Sequence, residues 1–304
     1  MKNKLLVGIP TLLILLIWLL TNSVAPSGEK ISANNESGRR PHDTTVPHTP
    51  HKANFCGEEL PLDRVDVYEQ LDREIITNTF WHTNTLLVLK RSTRFFPIIE
   101  PILKEYGVPD DIKYLCVAES NLIPTAKSPA GAVGLWQFME GTAKEYGLKV
   151  NAEVDERMDI EKSTRAACVM LKNDYGKLGS WALVAAAYNA GSGRVKKVQQ
   201  AQLQNSYYDL LWGEETGRYV YRIVAMKQVL TSPRSYGFDI DDDEAYLPYE
   251  TKTITIDTSI QDIAQWAIEN GTNYRTIKLL NPWLTKNKLT INGSETYDIK
   301  LLAN

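Results

Sequence analysis

The chain has 304 residues, 43% of them hydrophobic and 23% charged, with a formal net charge of −3. This is a globular composition with room for two domains, and without a basic excess it gives no ground for binding nucleic acid. Three of the four histidines (His42, His48 and His51) lie in a polar stretch near the start, the fourth is His82, and there is no H-E-x-x-H, so zinc hydrolysis is disfavoured and neither metal nor other cofactor is expected.

Residues 1–20 open with Lys2 and Lys4 and run apolar from Leu5 to Leu20. Such a segment is an export signal or a membrane anchor, not part of a fold. As a helix, residues 5–20 span roughly 24 Å against a hydrocarbon core of roughly 30 Å, and residues 21–25 would supply the rest. Ser23-Val24-Ala25 has the look of a cleavage site, but Pro26 would follow the cut. Residues 1–25 are therefore read as an uncleaved anchor; if they were cut, the protein would be secreted. In both cases the body is exported and Lys2 and Lys4 stay inside. Residues 26–59, rich in Ser, Asn, Pro, Thr and His as far as Asn54, read as a disordered linker.

Residues 60–106 carry Val67, Leu71, Ile75, Leu86, Leu89, Phe96, Ile99 and Leu103 at helical spacing. They predict two or three helices flanking the core, with Pro97 and Pro101 marking a kink or a break. The core follows at 107–230. Val108-Pro109-Asp110-Asp111 has the form of a helix start, with Pro at the first position and acids in the first turn. Ile112, Leu115, Cys116 and Glu119 then fall at i, i+3, i+4 and i+7, which puts a carboxylate in register with an apolar stripe. Burial there would raise its pKa, and an acid kept protonated near neutrality suits general acid catalysis. Taken alone, the helix fits a solvated acid at its end better, because stray acids on such stripes are common.

Further on, Gly147 stops a helix over residues 142–146. Asp159 caps a helix running to Tyr175 and closed by Gly176. Ser180 caps the next, which carries Trp181, Val184, Ala185, Ala186, Ala187 and Tyr188. Nothing alternates with period two, so the domain reads as all-α. Cys116 and Cys168 lie on apolar helix stripes as small buried hydrophobes. With Cys56 the count is odd, so one disulfide is possible but not indicated. A Cys–His nucleophile is disfavoured because no His lies in this region. Residues 238–250 are acidic. Asp239, Asp241, Asp243 and Glu250 fall at positions 1, 3, 5 and 12 of a calcium loop, but position 6, which needs Gly, is Glu244. The stretch is read as a solvated linker.

Residues 251–304 change character: a strand over 251–256, helices over 260–269 and 274–281, and a closing strand over 297–301. This β-α-α-β order, with T-I-D-T-S-I-Q-D-I-A and I-K-L-L-N-P, resembles LysM, although the usual Gly of the first turn is Ile256 or Asp257 here. The resemblance implies a module that binds glycan strands containing N-acetylglucosamine; the plainer alternative is an accessory domain that binds nothing.

The segment from Glu119 to Gln137 reads E-S-x-x-x-x-x-A-x-S-x-x-G-A-x-G-L-W-Q. It resembles the catalytic core of the lytic murein transglycosylases, especially the membrane-bound D type. The resemblance implies a goose-lysozyme-like all-α domain in the bacterial cell envelope, acting as a monomer on peptidoglycan. It implies Glu119 as the catalytic residue, first acid and then base. The Glu protonates the glycosidic oxygen of the MurNAc–GlcNAc β-1,4 bond and then takes the proton of the sugar's own 6-hydroxyl, leaving a 1,6-anhydro-N-acetylmuramic acid end. Ser120 would orient the acid and an N-acetyl group. Gln137 would hydrogen-bond sugar. Tyr188 and Asn189, in A-Y-N-A-G, would contact the sugar or the acid and hold the loop or an N-acetyl group. Tyr219, in E-T-x-x-Y-V, would close the cleft near Glu119, with Glu215 structural. Trp136, where many members have Met, is read as a core residue rather than a sugar platform. Gly131, Gly134 and Gly191 would let backbone approach the glycan or turn sharply. Most glycosidases need two carboxylates; Asp155, Glu156 and Asp159 are candidates for a second but fit capping and surface roles better. Two other readings remain: a lysozyme-type hydrolase on the same fold, and a non-catalytic peptidoglycan-binding protein.

Overall fold

A computed structural model describes residues 46–303. The anchor and most of the linker lie outside them. No helix among the described residues is long and apolar enough to cross a membrane.

The last part of the expected linker is ordered. Asn54–Phe55 (β1) pairs with Glu58–Glu59 (β2) through a turn at Cys56 and Gly57, both with positive φ. Phe55 is fully buried in the main core. Glu58 accepts from Ser180 Oγ at 2.8 Å and from the backbone N–H of Trp181 at 2.6 Å, so it caps a helix far along the chain. A polar composition concealed this because the partner is remote.

Two helices follow, Val65–Phe80 (α1) and His82–Glu105 (α2). Pro97 and Pro101 lie inside α2 without breaking it. Each removes an N–H donor, but Phe95, Ile99, Ile102 and Leu103 bury the same helix face on both sides of them. The next helices are Ile112–Ser120 (α3), Glu140–Glu145 (α4), Ile160–Leu178 (α5), Trp181–Ala190 (α6), Ser192–Gln202 (α7) and Glu214–Thr231 (α8). Asp159 and Ser180 cap α5 and α6 as the sequence indicates. However, α5 runs through Gly176 and ends at Gly179, which takes the left-handed conformation at φ 68. Gly176 has no such φ, and a helical Gly only lowers local propensity. Trp181 through Ala187 are all buried, so α6 is a central helix whose small residues let its neighbours approach. Helix α8 packs on α1, α3 and α6, while α2 packs on α5. Cys116 and Cys168 are buried, and all three cysteines are free.

Residues 238–250 are mostly exposed, as expected of a solvated stretch, but they are not free of the fold. They lie along α2: Tyr246 N donates to Lys90 O at 3.2 Å, and the Arg94 guanidinium sits 4.3 Å from the Tyr249 ring centroid. The tail is Thr251–Ile256 (β3), Ile263–Glu269 (α9), Tyr274–Leu280 (α10) and Tyr297–Leu302 (β4), with β3 antiparallel to β4. Asp262 and Asn273 cap the two helices. The chain is therefore mainly α, with a βααβ module behind a helical domain that carries one short β-hairpin.

Candidate active site

Helix α3 ends at Ser120, and Asn121 and Leu122 both take the left-handed conformation at φ 52 and 56. Two such residues in succession without glycine are strained, and their surroundings must impose them. Helix α2 does this. Arg91 Nη1 donates to Asn121 O at 3.2 Å, and Asn84 Nδ2 to Asn121 Oδ1 at 3.3 Å. The chain turns sharply directly after Glu119 and leaves that carboxylate half-buried at the mouth of the core.

Tyr219 on α8, only 1% exposed, donates its hydroxyl to Glu119 Oε1. Burial raises the Glu119 pKa to about 7; the Tyr219 bond and the Arg222 charge pull it down, and Glu215 pushes it up. Burial and the neighbouring Glu119 charge hold the Tyr219 phenol well above its ordinary range, so Tyr219 remains a neutral donor. Glu215, Tyr219 and Arg222 recur at i, i+4 and i+7 and share a face of α8. Arg222 is tied to Glu215 at 2.8 Å and lies 3.9 Å from Glu74, whose 1%-exposed carboxylate also takes Arg218 Nε at 2.6 Å. Glu74 and Arg222 were missed in the sequence. The i+7 spacing was the signal for Arg222; nothing local marked Glu74.

The loop opposite is knotted on itself. Gln137, at φ 49, donates from Nε2 to Gly134 O at 2.8 Å and Ala126 O at 3.2 Å. Gly134 has φ 88, and a Cβ there would lie 1.9 Å from the Arg157 carbonyl oxygen, so only glycine fits. Trp136 is fully buried, with Nε1 donating to Thr164 Oγ1 at 2.9 Å. Its backbone carbonyl accepts the Tyr188 hydroxyl. Tyr188 thus holds the loop beside the acid, and its hydrogen bond goes to Trp136, not to Glu119. Asn189 Oδ1 accepts from Thr216 Oγ1 at 2.8 Å and ties α6 to α8. Ser120 Oγ bonds back to Cys116 O at 3.2 Å, a helix-terminal role in this state. A cleft of about 380 Å³ runs past Gln137 and Tyr188, walled by Met139, Tyr146, Met170 and Asp174.

The three other candidate carboxylates are engaged elsewhere. Asp155 pairs with Arg157 at 2.7 Å, Glu156 accepts the Lys149 N–H at 2.7 Å and pairs with Lys162 at 2.5 Å, and Asp159 caps α5. The surface role expected for two of them is corrected: Asp155 and Glu156 are buried, because the turn that carries them packs under the loop.

Residues 96–210 match the family described as "Transglycosylase SLT domain", and residues 252–303 match "Soluble lytic transglycosylase C-terminal LysM-like domain". The chain is similar to membrane-bound lytic murein transglycosylase D of Escherichia coli K12, 31% identical over 192 residues, which are 60% of this chain and 41% of that protein. Thus the chain spans about two-fifths of the length of the curated relative it matches. It is also similar to peptidoglycan transglycosylase gp16 of Escherichia phage T7, at 39% identity over 92 residues, 30% of this chain and 7% of that protein. The solved lytic transglycosylase Slt of Pseudomonas aeruginosa aligns over 50% of this chain and 26% of that one, at 22% identity and a TM-score of 0.39, too loose to place any residue. Helix α8, with Tyr219, lies beyond the matched stretch, so the partner of Glu119 comes from outside it. Residues 96–210 thus match a transglycosylase SLT domain, followed at 252–303 by a domain similar to the C-terminal LysM-like domain of soluble lytic transglycosylases.

Proposed function

We propose that the chain is a peptidoglycan lytic transglycosylase in which Glu119 serves as acid and then as base. The observation that carries this reading is a single half-buried carboxyl with a pKa raised to about 7, held by Tyr219, while Asp155, Glu156 and Asp159 are engaged elsewhere. A proton from Glu119 goes to the glycosidic oxygen as the bond to the anomeric carbon breaks. The 6-hydroxyl of the same sugar then closes on that carbon and returns its proton to Glu119. No water is consumed, so no second carboxylate is required to activate one. Gln137 and Tyr188 line the cleft that positions the sugar, Asn189 holds α6 to α8 next to it, and Ser120 follows the acid in the chain, available to turn toward an N-acetyl group. Residues 1–25 hold the protein in the bacterial envelope as a monomer, and the LysM-like module adds affinity for glycan.

Mass analysis of digested sacculi tests the chemistry: the anhydro product is lighter by one water than the product of a lysozyme-type hydrolase. Products one water heavier would make the enzyme a hydrolase, and no products at all would leave a binding protein. The acid must be protonated at the start, so kcat/KM is expected to fall as pH rises through about 7. Tyr219→Phe removes a bond that favours the carboxylate and is expected to move that limb to higher pH while lowering the maximum. A limb that stays in place would disconnect Tyr219 from the acid.

A further inference from the structure

The LysM-like module is built into the helical domain rather than appended to it. Val154, from the turn before α5, is 1% exposed and belongs to the core of the module, together with Ile263, Leu284 and Ile299. Val154 also pairs with Leu284 as an antiparallel bridge. On either side, Asp155 N donates to Trp283 O at 2.9 Å and Thr285 N to Glu153 O at 2.9 Å. The Glu153 carboxylate accepts the Thr290 N–H at 2.8 Å and pairs with Lys288 at 2.9 Å. Lys149 donates to Tyr297 Oη at 2.6 Å and pairs with Glu295 at 2.8 Å. The loop between α10 and β4 is thus committed to the 149–155 segment.

That segment continues directly under the active-site loop. Asp155, whose backbone N–H is held by the module, grips the Arg157 guanidinium through Nε at 2.8 Å and Nη2 at 2.7 Å. Arg157 Nη1 then donates to Gly131 O at 3.1 Å and to Phe138 O at 3.2 Å, at the two ends of the loop that carries Gln137. The Arg157 carbonyl packs against Gly134 with no room for a Cβ. The connection from Trp283 O through Asp155 and Arg157 to the Phe138 carbonyl, next to Gln137, is a continuous series of hydrogen bonds.

We infer that the module acts in cis as a clamp on the glycan-binding loop, with Arg157 as the positioning residue that passes its docking on to the loop. This rests on the reading of the cleft as a glycan site. The module's influence on glycan affinity then comes from holding residues 131–138 in place, not from contact with sugar.

The test uses the full chain with Glu119→Gln, so that binding is read without turnover, and a tetrasaccharide of alternating N-acetylglucosamine and N-acetylmuramic acid as the calorimetric probe. Val154→Asp puts a charge into the module core and should release the module, seen as new protease cleavage within 238–250. Arg157→Lys cannot make the bidentate pair and should leave the module docked. Both are expected to weaken the tetrasaccharide about tenfold at temperatures well below their melting points. In the Glu119 background both should raise KM more than they lower kcat, with the pH limb near 7 unmoved. If only Val154→Asp weakens binding, the module itself holds sugar and the clamp is wrong. Unchanged binding with the module released also overturns it. A Glu119→Gln chain that binds no tetrasaccharide overturns the glycan reading itself.

Discussion

Glu119→Gln is expected to lower the release of anhydro-muropeptides from sacculi by about 10²–10⁴-fold, the span typical of a lost general acid, while the protein still sediments with them. Residual release near the parent rate would remove Glu119 from the chemistry. The same substitution carries a signature in stability. The folded protein holds the Glu119 proton up to about pH 7, against an ordinary 4.5 for the unfolded chain. Below 4.5 both states are protonated. As pH rises toward 7 the unfolded state ionises first, and the stabilisation supplied by this group is lost. Above 7 the fold carries a poorly solvated charge. Glutamine has no such charge, so the variant should be about 3 kcal/mol more stable than the parent at pH 8 and unchanged at pH 4. Thermal melts at the two pH values decide this, and equal shifts at both would mean that the carboxyl is not desolvated. A site that destabilises its own fold at working pH is the usual cost of function.

Trp136→Ala is expected to lower the stability of the fold by about 3–5 kcal/mol, through a large cavity in the core. The fully buried indole also loses its bond to Thr164 Oγ1. Urea unfolding followed by far-ultraviolet circular dichroism measures the loss. Because the Trp136 carbonyl receives the Tyr188 hydroxyl, the loop beside Glu119 should loosen as well, and activity should fall even well below the melting point. Trp136→Met fills part of the volume and should recover about half of the stability. A loss under about 1 kcal/mol, combined with a large rise in KM, would instead make Trp136 a sugar platform.

Much of the fold was legible because it is written in short-range chemistry. Asp159 and Ser180 cap helices at the places where their side chains can reach N–H groups a few residues on. The tail follows its alternation and its helical spacing to within a few residues. What failed was also local reasoning. Pro97 and Pro101 read as breakers, yet a helix buried on both sides of them tolerates the lost bonds. Gly176 read as a stop, yet the next glycine at helical distance, Gly179, takes the left-handed turn. Residues 46–59 read as linker, yet Phe55 and Glu58 each find a partner later in the chain.

The sequence by itself determined that Glu119 lies in register with an apolar stripe, that a glycine-rich loop follows it, and that a βααβ module closes the chain. Each of these depends on residues no more than a few turns apart. Only the tertiary structure decided what surrounds the acid. It gave the bond on Glu119 to Tyr219, turned Tyr188 onto the Trp136 carbonyl, and engaged Asp155 with Arg157 beneath the loop. It also plugged Val154 into the module. The reason is physical: capping and periodicity are satisfied within one element, whereas the partner of a buried polar group is fixed by which helices pack together, and that is a property of the whole core.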